Sequence, residues 1–447
     1  MYQQLPSSSG RSVWFDAETL SYSIGAPPVS GPASTGAAAL LPRLREQSAV
    51  SPIRRLMVAN TMQCNMTCTY CYNEFDLKAV RGSESAGSAD PERQRAQLLR
   101  AVQQAPETGL AVTFVGGEPL FDRTGLKRTI HDLRSVAADR GLPLSLGIYT
   151  NGLLMTPQFI DWANDLDVSL VVSLDGPPLE HDRSRRTVGG APTAGRILKN
   201  IRHLVDSAEG RPTRVRAVAQ SGTDLLTLQR YFLALGFNEI HVQPAYGEDG
   251  TAHLGIDEHM TIIRWYTSLL VTGCVIDLAP YSSHMLRLAR RGKAIQTHYP
   301  CDVGIFSAAV DPRGDFFPCH HFFGEPNYAY PVSEIGVLPT AEDLAARALP
   351  VDKRSSCQSC IARHMCGGEC YHRAAAAGAG YFGVLPGECH TRRDLLVPLI
   401  EMFDAVMRQG GDAMLRLVRG DLSPVPADPS AYECTSLEEF GSQAVTA

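Results

Sequence analysis

The sequence predicts an α/β protein: a partial, open (β/α)6 barrel over residues 51–272, then a small cysteine-rich domain over 273–410 with a β-hairpin and C-terminal helices. Three observations carry this reading. From about Arg54, short apolar runs alternate with helical patterns, the mark of βα units and a parallel sheet. Each run that ends in a distinctive motif ends in small or polar residues, where such a barrel places its functional loops. Ten of the twelve cysteines fall into two fields, 64–71 and 301–389.

Composition bounds the rest. With 447 residues, 44% hydrophobic and 20% charged, the chain is long enough for one large domain and a smaller one. A formal net charge of −6, with Lys and Arg scattered, argues against a nucleic-acid partner. No apolar stretch follows a basic start, and no run reaches about 18 apolar residues, so a soluble, cytoplasmic protein with no membrane partner is expected. Twelve cysteines in a reducing compartment point to metal.

Residues 1–50 read as a partly disordered flap and linker. Within them Val13–Phe15 and Leu20–Ile24 fit a small hairpin around Asp16-Ala17-Glu18, and Gly25–Ala39 is rich in Gly, Pro, Ala and Ser. The barrel strands follow as Leu56–Ala59, Leu110–Val115, Leu144–Tyr149, Val168–Leu174, Arg214–Ala219 and Ile240–Pro244. Helices are expected over Pro91–Gln104, Arg196–Ala208, Asp224–Leu235 and around Glu258–Val271. Ala308–Val310 and Phe316–Phe317 flank a turn at Asp311–Asp315, which reads as a hairpin. An amphipathic helix is expected over Arg392–Met407 and a mobile tail over 411–447.

The first strand feeds the loop Cys64-Asn65-Met66-Thr67-Cys68-Thr69-Tyr70-Cys71. Three thiolates at C-x3-C-x2-C supply three irons of a 4Fe–4S cluster and leave the fourth open for a small molecule. A zinc knot is the competing reading, but zinc loops pair cysteines as CxxC and take four ligands. With the aromatic Tyr70 before its last cysteine, the loop resembles the signature of the radical S-adenosylmethionine (SAM) enzymes. The resemblance extends from about Pro52 to Cys389.

It implies a SAM pocket at successive strand ends. Gly116-Gly117-Glu118-Pro119 is similar to the element that receives the methionine amino group, since glycines allow close approach and a carboxylate suits an ammonium. Asn151 and Ser173 are similar to the residues that contact ribose and carboxylate. The Asp175-Gly176-Pro177 turn and His181-Asp182-Arg183-Ser184-Arg185 also match. An arginine there pairs the SAM carboxylate in the family, and of Arg183, Arg185 and Arg186 the reading favours Arg185. The activity implied is radical initiation: an electron from the reduced cluster cleaves SAM, and the 5′-deoxyadenosyl radical abstracts a substrate hydrogen.

The later cysteines resemble the SPASM extension of these enzymes, which carries two auxiliary Fe–S clusters. By position, Cys357, Cys360, Cys366 and Cys389 hold one cluster. Cys301, Cys319 and Cys370 hold the other, whose fourth place is open, taken by substrate or water, or filled by Asp302 or His320. A zinc ribbon at Cys357–Cys370 is the alternative. His320 directly follows a ligand and is a candidate for proton transfer.

Enzymes with a full SPASM extension mostly modify peptides, so the resemblance implies a maturase acting on a ribosomally made precursor peptide. It would install a cross-link or another side-chain change, with a flavodoxin- or ferredoxin-type electron donor. The runner-up is an anaerobic sulfatase-maturing, formylglycine-forming enzyme; that group carries Asp where this chain has His320. A non-catalytic Fe–S or zinc adaptor would need the cysteines but not the motifs at Glu118, Asn151 and Ser173.

Overall fold

The computed structural model describes residues 2–7, 10–27, 53–71, 89–245, 255–290, 297–332 and 334–424. In chain order the strands are β1 (Gln3–Leu5), β2 (Val13–Asp16), β3 (Ser21–Ile24), β4 (Arg55–Thr61), β5 (Met66–Cys68), β6 (Leu110–Gly116) and β7 (Leu144–Thr150). They continue as β8 (Val168–Ser173), β9 (Arg185–Thr187), β10 (Arg214–Ala219), β11 (Glu239–Pro244), β12 (Asp277–Ala279), β13 (Ser307–Val310) and β14 (Phe316–Phe317). Most of the expected Gly25–Ala39 linker, Cys434 and most of the expected mobile tail lie outside the described residues.

The chain divides into two compact units. One is formed by residues 40–208 and 302–349. Its strands run in the order β8-β7-β6-β4-β13-β14, all parallel except the last pair. β-Branched and aliphatic residues dominate these strands, as in sheets covered on both faces, and Leu56, Val58, Val112, Phe114, Ile148 and Val172 are fully buried. The helices between them start at side-chain caps. Asp90 accepts from Arg93 N ahead of Pro91–Gln104, and Thr156 caps Pro157–Asp165, each with Pro at the first position. The 308–317 hairpin forms where the sequence predicts it, and β13 extends the sheet by pairing in parallel with β4.

The other unit is formed by residues 1–39, 209–301 and 350–447. β10, β11 and β12 pair in parallel. Val13 and Phe15 of the antiparallel sheet β1-β2-β3 are fully buried. Tyr22 meets Phe403 edge-on at 6.0 Å, and Ser7 Oγ donates to Glu401 Oε1 at 2.6 Å. The expected helix over Arg392–Met407 is two, Pro386–Asp394 and Leu396–Gln409. Pro398 explains the break, since it lacks an N–H and is tolerated only in a first turn, the position it takes when the second helix starts at Leu396. Among the described residues no helix is long and apolar enough to cross a membrane.

Candidate metal centres and cofactor site

The loop after β4 is held from two sides. β5 pairs antiparallel with β9, setting Cys68 opposite Arg185, and Thr69 N donates to Ser184 O at 3.1 Å. On the other side Gly117 N donates to Thr61 O at 3.1 Å and Glu118 N to Gln63 O at 2.8 Å. This approach requires glycine. Gly116 has φ +119°, and a Cβ on Gly117 would stand 2.3 Å from the Gln63 carbonyl oxygen.

Glu118 is fully buried and works inward. Its carboxylate accepts from Thr150 Oγ1 and Asn151 N, both at 2.7 Å, and from Leu120 N at 3.1 Å, while Pro119 opens the short 3-10 helix that it caps. Burial pushes its pKa up to about 7 against the pull of these bonds. Asn151, fixed in this way, turns its Nδ2 to Asn65 Oδ1 at 2.8 Å and Cys64 Sγ at 3.8 Å. Ser173 stands half-buried at the end of β8.

Of the three candidate arginines, Arg185 is the one that reaches the cysteine loop. Its Nε lies 2.9 Å from Asp175 Oδ2, its Nη1 3.9 Å from Cys68 Sγ, and its guanidinium 5.4 Å from the Tyr70 ring centroid. The Tyr70 hydroxyl donates to the same Asp175 oxygen. Arg183 pairs with Glu180 on the surface, and Arg186 Nη1 donates to Gly190 O. Burial disfavours the Arg185 charge, but Asp175 outweighs it and holds the pKa well above the ordinary value.

Beneath this pair runs a relay that gives His181 a role its sequence motif does not reveal. Asp175 N donates to His181 Nδ1 at 3.1 Å, which leaves Nε2–H to donate to Thr193 Oγ1 at 3.1 Å. Thr193 Oγ1 in turn donates to Arg185 O at 2.8 Å. Burial brings the His181 pKa down to about 4, which favours the neutral ring.

In the other unit, Cys357, Cys360, Cys366 and Cys389 line one cavity. Arg392, three residues beyond Cys389, donates from Nη1 to Cys366 Sγ at 3.2 Å and to Gly368 O at 3.1 Å. Its Nη2 lies 3.5 Å from both Glu369 and Glu388. Cys370 does not line this cavity; its N–H donates to Glu369 Oε1 at 2.9 Å. Cys301 belongs to this unit and Cys319 to the one that holds β4. Beside Cys319, His320 Nδ1 lies 3.9 Å from its Sγ, and His321 N donates to that sulfur at 3.4 Å. Asp302 is buried and ion-paired to Arg55 at 2.6 Å.

Cys64–Cys71 and Cys357–Cys389 are spaced more widely than the ligands of one zinc ion. Zinc thiolate ligands sit about 3.8 Å apart, as tetrahedral geometry at Zn–S of about 2.3 Å demands. The described groups whose ligand atoms all lie within 4.8 Å of one another are Cys319 with His320 and His321, and His298 with Asp352 and His364. Neither Cys64–Cys71 nor Cys357–Cys389 is among them. Burial pushes the Cys64 thiol up to about 12, and the Cys68 and Cys357 thiols to about 11, so a metal must displace their protons to bind.

Comparison with known proteins agrees. Residues 61–213 match the model of the radical SAM superfamily. Over 161 residues the chain is 25% identical to the radical SAM cyclopropyl synthase TigE of Paramaledivibacter caminithermalis, covering 34% of this chain and 32% of that protein. Over 146 residues it is 23% identical to the cysteine-type anaerobic sulfatase-maturating enzyme of Clostridium perfringens, covering 33% and 39%. The chain thus spans about a third of the length of these relatives. Its fold is similar to native anSMEcpe with bound AdoMet, with TM-score 0.64 at 16% identity, covering 79% of this chain and 99% of that one. It is also similar to Streptococcus suis SuiB bound to its precursor peptide SuiA, with TM-score 0.55 at 15% identity, covering 79% of each chain. The chain carries, at residues 61–213, a domain of the radical SAM superfamily.

Proposed function

We propose that the protein is a radical SAM peptide maturase, which abstracts a hydrogen atom from a ribosomally made precursor peptide and installs a cross-link or another side-chain change. The observation that carries this is the double anchoring of the Cys64–Cys71 loop, by Asn151 and Glu118 on one side and by Arg185, Asp175 and Tyr70 on the other. An adaptor that only needed metal has no use for these strand-end groups.

Cys64, Cys68 and Cys71 would hold a 4Fe–4S cluster with SAM at its open iron, a pair that supplies hydrogen-atom abstraction when bound. The chain's own residues position and insulate. N–H groups of Asn151 and Arg185 face Cys64 and Cys68, where they stabilise charge on sulfur. Arg185 is the group we assign to the SAM carboxylate, Asn151 and Ser173 to ribose and carboxylate, and the Gly116–Pro119 backbone to the amino group. Because Glu118 is engaged from within by Thr150 and Asn151, its part is to shape that backbone.

Cys357, Cys360, Cys366 and Cys389 would hold one auxiliary cluster, with Arg392 offsetting its charge. His320, beside Cys319, is the group we assign to proton transfer. That SuiB was solved with a precursor peptide supports the peptide reading, and His320 in place of Asp weighs against formylglycine formation.

The test is anaerobic incubation of the cluster-loaded protein, SAM, a flavodoxin- or ferredoxin-type donor and short peptides encoded beside its gene. Loss of two hydrogens from one peptide, read by mass spectrometry, supports the cross-linking reading. Conversion of a cysteine to formylglycine in a sulfatase peptide, with one sulfur and two hydrogens lost and one oxygen gained, would select the alternative.

A further inference from the structure

Beside the cysteine cavity, segments of one unit bring a second kind of donor set together. Glu18 comes from the β2–β3 turn, held there by its own N–H donating to Asp16 Oδ1 at 3.0 Å. His298 and Asp352 are brought together by the Val351 N–H, which donates to His298 O at 2.9 Å. His364 sits on the single helical turn Arg363–Cys366 and is 1% exposed.

His364 Nδ1 lies 3.3 Å from Thr297 O, a backbone acceptor, so Nδ1 carries the hydrogen and Nε2 presents a lone pair. That lone pair faces two carboxylates, Asp352 Oδ1 at 3.2 Å and Glu18 Oε2 at 3.5 Å, and Nε2 makes no hydrogen bond. His298 Nδ1 lies 3.5 Å from Asp352 Oδ2. Three groups with acceptor atoms turned to one point repel one another unless a cation lies between them. Arg363 neutralises part of this charge: it pairs with Glu18 Oε1 and, at 3.3 Å, with Asp352 Oδ1. That leaves one guanidinium against two carboxylates, with Asp352 Oδ1 shared between Arg363 and His364 and Asp352 Oδ2 turned to His298.

The spacing is that of ligands around one small ion. Four nitrogen or oxygen ligands at the zinc bond length of about 2.0 Å stand about 3.3 Å apart in a tetrahedron. Here His364 Nε2 stands 3.2 Å from Asp352 Oδ1 and His298 Nδ1 stands 3.5 Å from Asp352 Oδ2, and one ligand atom from each of the three residues lies within 4.8 Å of the other two. A backbone carbonyl on the far nitrogen of a histidine is also the usual support of a metal-bound imidazole. We infer that His298, Asp352 and His364 form a zinc site, with the Glu18 carboxylate beside it. The Asp352 and Glu18 carboxylates and the Arg363 guanidinium surround the ion, and the Glu18–Arg363 pair joins the β2–β3 turn to the segment that carries Cys360 and Cys366. This inference does not depend on the radical reading.

The test is zinc X-ray absorption on the anaerobically reconstituted protein, its iron sites filled so that the cluster cysteines are not open to zinc. The expected result is about one zinc per chain with a nitrogen/oxygen shell near 2.0 Å and no sulfur shell near 2.3 Å. In His298→Ala and Asp352→Asn the zinc is lost while iron is unchanged. Asp352 lies exposed on the turn Val351–Lys353 and the change keeps the side-chain shape, so it reports even if His298→Ala does not fold. Zinc at background in the wild type, a sulfur shell, or zinc undiminished in both variants would each overturn the assignment.

Discussion

Arg185 Nε lies 2.9 Å from Asp175 Oδ2, both side chains are buried, and the Tyr70 hydroxyl shares the same oxygen. The pair joins the turn after β8 to the cysteine loop, so its loss is felt in both. Asp175→Asn leaves the Arg185 charge buried without a carboxylate, a change that costs about 3–5 kcal/mol when a buried pair is broken. Chemical denaturation of the metal-free protein measures it. An unchanged midpoint would mean that the pair is not formed.

His181 makes stability depend on pH. Burial holds its folded value down at about 4, against an ordinary 6.5. Between these values the unfolded chain binds a proton that the folded chain excludes. Stability therefore falls as pH drops through this window, by at most about 1.4 kcal/mol per pH unit. Denaturation curves at pH 7 and 5 should converge for wild type and His181→Gln at the lower pH, the variant being flatter.

Gly117→Ala tests the close approach of strand end and loop. The added methyl would stand 2.3 Å from Gln63 O and 2.5 Å from Met62 O, both backbone atoms that cannot swing aside. The expected cost is about 1–3 kcal/mol of overpacking. Iron analysis should show the four irons of the Cys64–Cys71 site lost first.

Arg392→Gln tests the second cysteine field. It removes the cation 3.2 Å from Cys366 Sγ. Iron should fall from about twelve per chain, the content of three four-iron clusters, to about eight. The first cluster, in the other unit, should keep its yield of cleaved SAM.

The sites were legible where chemistry is local in sequence. The C-x3-C-x2-C loop, Gly116-Gly117 and the strand ends at Asn151 and Ser173 could be read because each is a short motif tied to a strand. What could not be read depends on distant pairing. Nothing near Cys68 announces that β5 pairs with β9, opposite Arg185, or that β13 lies against β4. Glu118 reads as a ligand for an ammonium, yet only the fold reveals that Thr150 and Asn151 occupy its carboxylate. The split at Leu395 was available in Pro398, but the apolar spacing over Leu395–Met407 masks it. His298, Asp352 and His364, with Glu18 beside them, stand far apart in sequence, so no motif marks them.

The central claim is that Cys64, Cys68 and Cys71 support SAM chemistry, and the direct measurement is 5′-deoxyadenosine formed from SAM under strong reductant. The wild type, reconstituted anaerobically, should release it together with methionine. The Cys64→Ala/Cys68→Ala/Cys71→Ala variant should release none while keeping the iron of the other cysteine field. Release by the variant, or no cleavage by a wild type carrying its full iron, would contradict the account.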